Sequence, residues 1–240
     1  MLFNPFWKRN RFKKIGTDYG GWFIPNDIEL NSGSIVYSAG VGEDISFDLQ
    51  LSSNYNCYIL LIDPTPRSLV HFQEVQKYYL TNNWLFTGNI QKDYKRNIEG
   101  INIDFSKIKF LPIALWDENS ELKFYKQNNK KNVSQSLIDD MFSRTYDIVQ
   151  TSTIINLMNQ EKHSHIDLLK IDIEGAELRV LNNMLNDKIY PTYLCVEFDL
   201  KLKGRDLGKE TKQTISRLKD EGYKELINKN LNITFYHKNY

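Results

Sequence analysis

Three acids at the ends of apolar runs are the residues of this chain best placed to do chemistry. Ile166-Asp167-Leu168-Leu169-Lys170-Ile171-Asp172-Ile173-Glu174-Gly175-Ala176-Glu177 is an apolar run that carries charges and stops at Glu-Gly-Ala-Glu, and a second run over residues 192–198 ends in Glu197-Phe198-Asp199. Near-continuous apolar positions read as central parallel strands covered on both faces. In an open α/β sheet, ligands bind at the carboxyl ends of such strands. Asp172, Glu174 and Glu197 are therefore the candidate catalytic residues. They could act as general bases toward a bound substrate, or hold a hard divalent cation. Lys170, Asp172 and Glu174 alternate and share one side of their strand. A purely structural reading thus stands beside the chemical one: a buried ion pair between Lys170 and an acid, because unpaired burial of a carboxylate costs on the order of several kcal/mol. Among the histidines, His163 and His165 precede their strand and His71 falls inside a helical run. His237, on the last strand, is the one that could serve as a base.

A second constellation suits a nucleotide-like ligand. Gly40-Val41-Gly42 follows a β-prone run and precedes a helical stretch, so the backbone can come close to a ligand that faces the helix N-terminus. The dinucleotide fingerprint GxGxxG is not met, since Ile45 stands where its third glycine would be, and no Gly-Lys-Ser/Thr marks a P-loop. Asp63 ends the next strand, where an acid can accept both hydroxyls of a ribose. An Asp before Pro64 is also a turn former.

The elements that must position these groups follow in βα order. Strands are expected over residues 34–38, 57–62, 109–115, 166–173 and 192–198, with helices over 45–53, 66–79, 176–185 and 209–221. Trp84 and Phe86 suggest an extra strand, and residues 121–125 an edge strand paired with 109–115 or with 145–149. Thr151-Ser152-Thr153 caps a helix of about ten residues. Residues 223–227 and 231–237 read as a closing antiparallel pair. The aromatic, glycine-containing stretch over 19–25 reads as a loop, a lid or a plug.

With 41% hydrophobic and 25% charged residues, the 240-residue chain can bury a full core. A net charge of +1 offers no global field for nucleic acid. The basic, aromatic lead over residues 1–18 stands apart from a single domain over 19–240. No apolar run approaches the roughly 20 residues of a membrane span, and no secretory pattern follows Met1, so the expected location is cytoplasmic. Cys57 and Cys195 lack the spacing of a disulfide framework or a zinc site, and no metal is assigned.

Ser38-Ala39-Gly40-Val41-Gly42-Glu43-Asp44-Ile45-Ser46-Phe47-Asp48, Asp63-Pro64-Thr65-Pro66-Arg67-Ser68 and the run from Ile166 to Glu177 together resemble the FkbM family of S-adenosylmethionine-dependent methyltransferases. The resemblance spans about residues 19 to 237. Val133-Ser134-Gln135-Ser136 resembles a further short motif with Gln135 in place of His. The resemblance implies an α/β, class I (Rossmann-like) methyltransferase fold: seven strands, mostly parallel, an antiparallel last strand, and helices on both faces. It also implies O-methylation of a hydroxyl on a sugar, polysaccharide or small natural product. Carried over by position, Ser38, Ala39, Gly40, Gly42 and Asp44 line the methionine end of S-adenosyl-L-methionine, and Asp63 holds its ribose. Pro64, Thr65, Ala114 and Leu115 border the adenine, and Asp172 and Glu174 sit near the sulfonium and the acceptor. The partner is a small-molecule or glycan acceptor rather than nucleic acid, and a homo-oligomer is compatible with this reading. Two other classes compete. A silent S-adenosylmethionine-binding or nucleotide-binding module is disfavoured by the intact glycine turn and acids; a nucleic-acid methyltransferase would need a basic groove or an Asn-Pro-Pro-Tyr motif.

Overall fold

The apolar runs pair into one large sheet and three small ones in the computed structural model, which describes residues 11–125, 146–199, 201–202 and 205–238. Phe12–Ile15 (β1) and Trp22–Pro25 (β2) form an antiparallel hairpin. The stretch 19–25 is thus not wholly a loop, and the basic lead contributes a strand; its residues 1–10 and the motif at Val133 to Ser136 lie outside the described residues. Ile35–Ala39 (β3) leads through the glycine turn to Ser46–Tyr55 (α1), and Tyr58–Ile62 (β4) leads to Pro66–Thr81 (α2). Pro66 occupies the first turn of α2, where its missing N–H is not needed, and the Thr65 side chain accepts from Ser68 N. Trp84 and Phe86 form no strand. They pack in an aromatic cluster, with Trp84 at 5.2 Å from Tyr78 and 4.4 Å from Phe86 between ring centres. The short helix Tyr94–Ile98 (α3) buries both of its end residues beside them.

Ile108–Leu111 (β5) pairs parallel with β4. The expected strand over 109–115 breaks at Pro112, which has no N–H to give a ladder. Ala114–Leu115 (β6) leaves the sheet and pairs parallel with Tyr146–Ser152 (β8), which also pairs antiparallel with Glu121–Tyr125 (β7). The Thr153 side chain caps Ile154–Glu161 (α4) by accepting from Asn156 N. Leu168–Ile171 (β9), Glu177–Asn186 (α5), Tyr193–Glu197 (β10), the small hairpin Lys201–Leu202 (β11) and Arg205–Asp206 (β12), and Gly208–Asp220 (α6) follow. Tyr223–Lys229 (β13) and Asn232–His237 (β14) close the chain.

The large sheet runs β13-β14-β10-β9-β3-β4-β5. Contacts among β5, β4, β3, β9 and β10 are parallel, whereas β14 runs antiparallel to both β10 and β13. Successive residues of each central strand enter opposite cores, which is why these runs are apolar without alternation. Val36, Ile59, Leu168 and Cys195 join the layer beneath α1, α2 and the β1–β2 hairpin; Tyr37, Leu60, Leu169 and Leu194 join the layer that includes α4, α5 and α6. Each fully buried aliphatic side chain stabilises the fold by about 1.5–3 kcal/mol relative to exposure. Running antiparallel carries His237 to the amino end of β10, where its N–H reaches Thr192 O and its Nε2 lies 2.9 Å from Glu221 O. The histidine that could have been a base therefore lies at the wrong rim.

Candidate active site

At the carboxyl ends of β3, β4, β9 and β10 the chain surrounds a cavity of about 490 Å³. Gly40, Gly42, Asp44, Asp63, Pro64, Thr65, Ala114 and Leu115 line it, as do Asp172, Glu174 and Glu197. Ser38 and Ala39 do not. Both are fully buried one layer down, inside β3, where the Ala39 carbonyl accepts from Asp172 N.

The glycine turn has two separate physical causes. Gly40 has φ +75°, and a Cβ there would stand 1.6 Å from the Asp172 carbonyl oxygen, so glycine is what lets β3 and β9 close at the rim. Gly42 has φ +55°, and a Cβ on it would meet nothing within 4 Å. Gly42 lines the cavity, and the open space beside it lets a ligand approach the backbone. Asp63, buried, holds the turn from the next strand: its Oδ2 accepts from Gly42 N at 2.9 Å and its Oδ1 from Thr65 N at 2.8 Å and Thr65 Oγ1 at 2.6 Å. Asp44 has structural work as well. Its Oδ1 accepts from Ser46 N at 3.0 Å, which removes that N–H of α1 from any ligand, and its Oδ2 accepts from Thr17 Oγ1. The hairpin loop is thereby fastened to the rim. Glu43, also at the cavity, is held by Arg67 at 2.6 Å and by Asn89 N at 3.2 Å.

The acids sit opposite. Lys170 Nζ lies 3.9 Å from Asp172 Oδ2, a buried lysine against a partly exposed carboxylate, so the ion-pair reading of this strand holds alongside any chemical one. Burial raises the Asp172 pKa against the pull of Lys170, and Asp63 raises it further. Burial pushes Glu197 up to about 7, with Asp172 and Asp199 adding to it. Asp199, two residues beyond, is raised by burial and by Asp172. Glu174 has φ +54°, a left-handed conformation that a non-glycine residue adopts at a cost of about 1–2 kcal/mol, and Gly175 follows at φ +94°. Glu177 holds this strained loop: its Oε1 accepts from Ile173 N at 3.1 Å and from Gly175 N at 3.0 Å. Burial pushes the Glu177 carboxyl up to about 8.

Sequence reasoning missed several residues here. Tyr19 lines the cavity mouth; burial raises its phenol pKa, and Asp172, Glu174, Glu197 and Asp44 raise it further, although its surface is 70% exposed. Its place in the aromatic stretch read as a loop, a lid or a plug marks it as a residue near the site, though not as one of the site residues. Lys170 was read only as a structural partner, yet it lines the cavity. Asn232 enters because β14 places it opposite Glu197. Asp199 and Glu177 were visible as acids following the two rim motifs, but nothing in their spacing separated a cavity-lining acid from a loop brace. Among the described residues, no cluster of three or more His, Cys, Asp or Glu is arranged to hold a metal ion, and no helix is long and apolar enough to cross a membrane.

A mostly parallel sheet with helices, a glycine turn, an acid ending the next strand and a cavity at that rim make a mixed α/β protein whose fold is compatible with a methyltransferase. The chain belongs to the FkbM methyltransferase family: the pattern of the methyltransferase FkbM domain matches residues 30–225. No individual curated protein matches the chain.

Proposed function

We propose that this protein uses S-adenosyl-L-methionine to methylate a hydroxyl, on a sugar, a polysaccharide or a small natural product, and that its sheet is the class I methyltransferase arrangement. The observation that carries this reading is that the glycine turn, Asp63 and the three rim acids open on one cavity. The residues fit the cofactor: the space in front of Gly42 accepts a close ligand, and Asp63, although both sites of its Oδ1 are taken by Thr65 and one of its Oδ2 by Gly42, has one Oδ2 lone pair left for a ribose hydroxyl. Gly40, Gly42 and the Asp44 side of the turn would take the methionine end, and Pro64, Thr65, Ala114 and Leu115 the adenine. When bound, S-adenosyl-L-methionine supplies an electrophilic methyl group on a sulfonium.

What the chain itself must do is orient the acceptor oxygen in line and take its proton. A carboxylate pressed against a sulfonium stabilises the ground state, where the charge is, more than the transition state, where it fades. The rim acids therefore serve the acceptor. Glu197, raised to about 7, is partly deprotonated near neutral pH and still basic enough to receive a proton, which suits a general base. Glu174, held out by the strained loop, and Asp172, paired with Lys170, position the hydroxyl beside it. Calorimetric titration with S-adenosylmethionine, followed by mass-shift screening of glycans and small molecules with methyl-labelled cofactor, tests the reading. An absence of cofactor binding would end it.

A further inference from the structure

A smaller chamber of about 140 Å³ adjoins the main cavity and shares Asp18, Tyr19 and Asn232 with it. Its wall comes from chain ends far apart in sequence: Lys14 and Phe23, a cross-strand pair of the β1–β2 hairpin, and Lys229 beside Asn232 at the β13–β14 turn. The wall is built rather than incidental, because Thr234 Oγ1 on β14 donates to the Phe23 carbonyl at 2.8 Å and fastens the hairpin to the sheet. Lys229 Nζ lies 5.7 Å from the centre of the Phe23 ring. Lys14 Nζ donates to the Asp18 carboxylate at 3.2 Å and to its carbonyl at 3.0 Å.

Charge changes sign across this boundary. The main cavity gathers Asp172, Glu174, Glu197 and Asp199 against Lys170, whereas the chamber has two lysines and one acid, Asp18. An anionic group would be repelled at the first position and attracted at the second. The half-buried Phe23 ring offers an apolar face of the kind that packs against the C–H face of a sugar, and the volume admits a single ring-sized group.

We propose that this chamber is an acceptor subsite for a sugar unit bearing an anionic group, placed next to the unit whose hydroxyl is methylated. The proposal rests on the main cavity being the methyl-transfer site. It makes the acceptor an oligosaccharide or glycoconjugate with a neutral unit at the acids and a negatively charged neighbour at Lys14 and Lys229. The shared chemistry is an anion on a sugar, either a uronate carboxylate or a phosphate.

Titrations of the full chain by saturation-transfer NMR with methyl β-glucuronide, glucose 6-phosphate and methyl β-glucoside test it, with S-adenosylmethionine affinity measured on every variant. The parent should bind at least one of the two anionic sugars about ten-fold more tightly than the neutral one, with the preference weakening in salt as expected for charge attraction. Which anionic sugar is preferred tells carboxylate from phosphate. Lys14→Ala/Lys229→Ala should bring the preference to within about two-fold, and Lys14→Arg/Lys229→Arg should keep it, because the charge of these side chains is what the proposal invokes. No preference in the parent, or a preference that survives removal of both lysines, would overturn the proposal. So would a loss of cofactor affinity in the double alanine variant, which would give the lysines to the cofactor. If the parent itself binds no S-adenosylmethionine, the reading of the main cavity fails, and the sugar titrations still report on the chamber.

Discussion

Asp63 Oδ2 accepts the Gly42 N–H at 2.9 Å, so the acid that ends β4 closes the turn that ends β3. One side chain thus holds the cradle and, in the proposed function, the ribose. Asp63→Ala should cost about 1–3 kcal/mol of stability, since the buried Thr65 donors and the part-buried Gly42 N–H lose their acceptor, and should also weaken S-adenosylmethionine binding. Urea unfolding and calorimetry measure the two separately. Unchanged cofactor affinity in a destabilised variant would leave Asp63 as a brace alone.

Gly40→Ala and Gly42→Ala should part company. The first puts a methyl 1.6 Å from the Asp172 carbonyl oxygen and should prevent the rim from closing, seen as loss of cooperative unfolding. The second meets nothing within 4 Å, so its stability should fall only by the left-handed backbone cost of about 1–2 kcal/mol. Its cofactor affinity should fall more than ten-fold, because the methyl occupies ligand space. An affinity equal to the parent's would move the cofactor away from this turn.

Glu197→Gln should retain cofactor affinity within a factor of a few while lowering turnover by about two orders of magnitude or more, as for removal of a general base. Single-turnover rates of the parent should rise with pH through about 7 as Glu197 releases its proton, and the variant should lose that rise. EDTA should change neither. Activity lost to EDTA and restored by magnesium would make these carboxylates metal ligands, and an undiminished rate in the variant would pass the role of base to Glu174.

Glu177 sets a pH dependence of stability. Its folded pKa of about 8 lies above the ordinary carboxylate value of 4.5, so between these values the folded state holds more protons than the unfolded one. That contribution is complete below about pH 4.5 and is lost as pH rises to about 8. Glu177→Gln retains an oxygen for Ile173 N and Gly175 N but does not titrate. Urea unfolding across this range should show the parent losing stability relative to the variant as pH rises. Parallel curves would refute the assignment.

Much of the site is legible in the chain because its signals are local. An apolar run that stops at Asp172-Ile173-Glu174-Gly175, a glycine pair after a β-prone run and an acid after the next strand each announce a strand's carboxyl end, whatever surrounds it. Parallel strands then carry those ends to one rim, and the order β10-β9-β3-β4 sets Gly40, Asp63, Asp172 and Glu197 around one cavity.

What needed the tertiary structure was every relation between elements whose pairing local pattern leaves open. Pro112 was visible, yet only the partner strand β8 shows that Ala114 and Leu115 leave the large sheet to reach the cavity. The antiparallel course of β14 sends His237 away from the site and brings Asn232 beside Glu197. The depth of β3 in the sheet buries Ser38 and Ala39 beneath the rim. The chamber beside the acids is closed by the hairpin lying against β14, where Thr234 holds the Phe23 backbone in a contact across 211 positions. Residue type and short-range periodicity determine which segments become strands and where acids and glycines fall along them; register, strand direction and long-range hydrogen bonds decide which of those residues face one another.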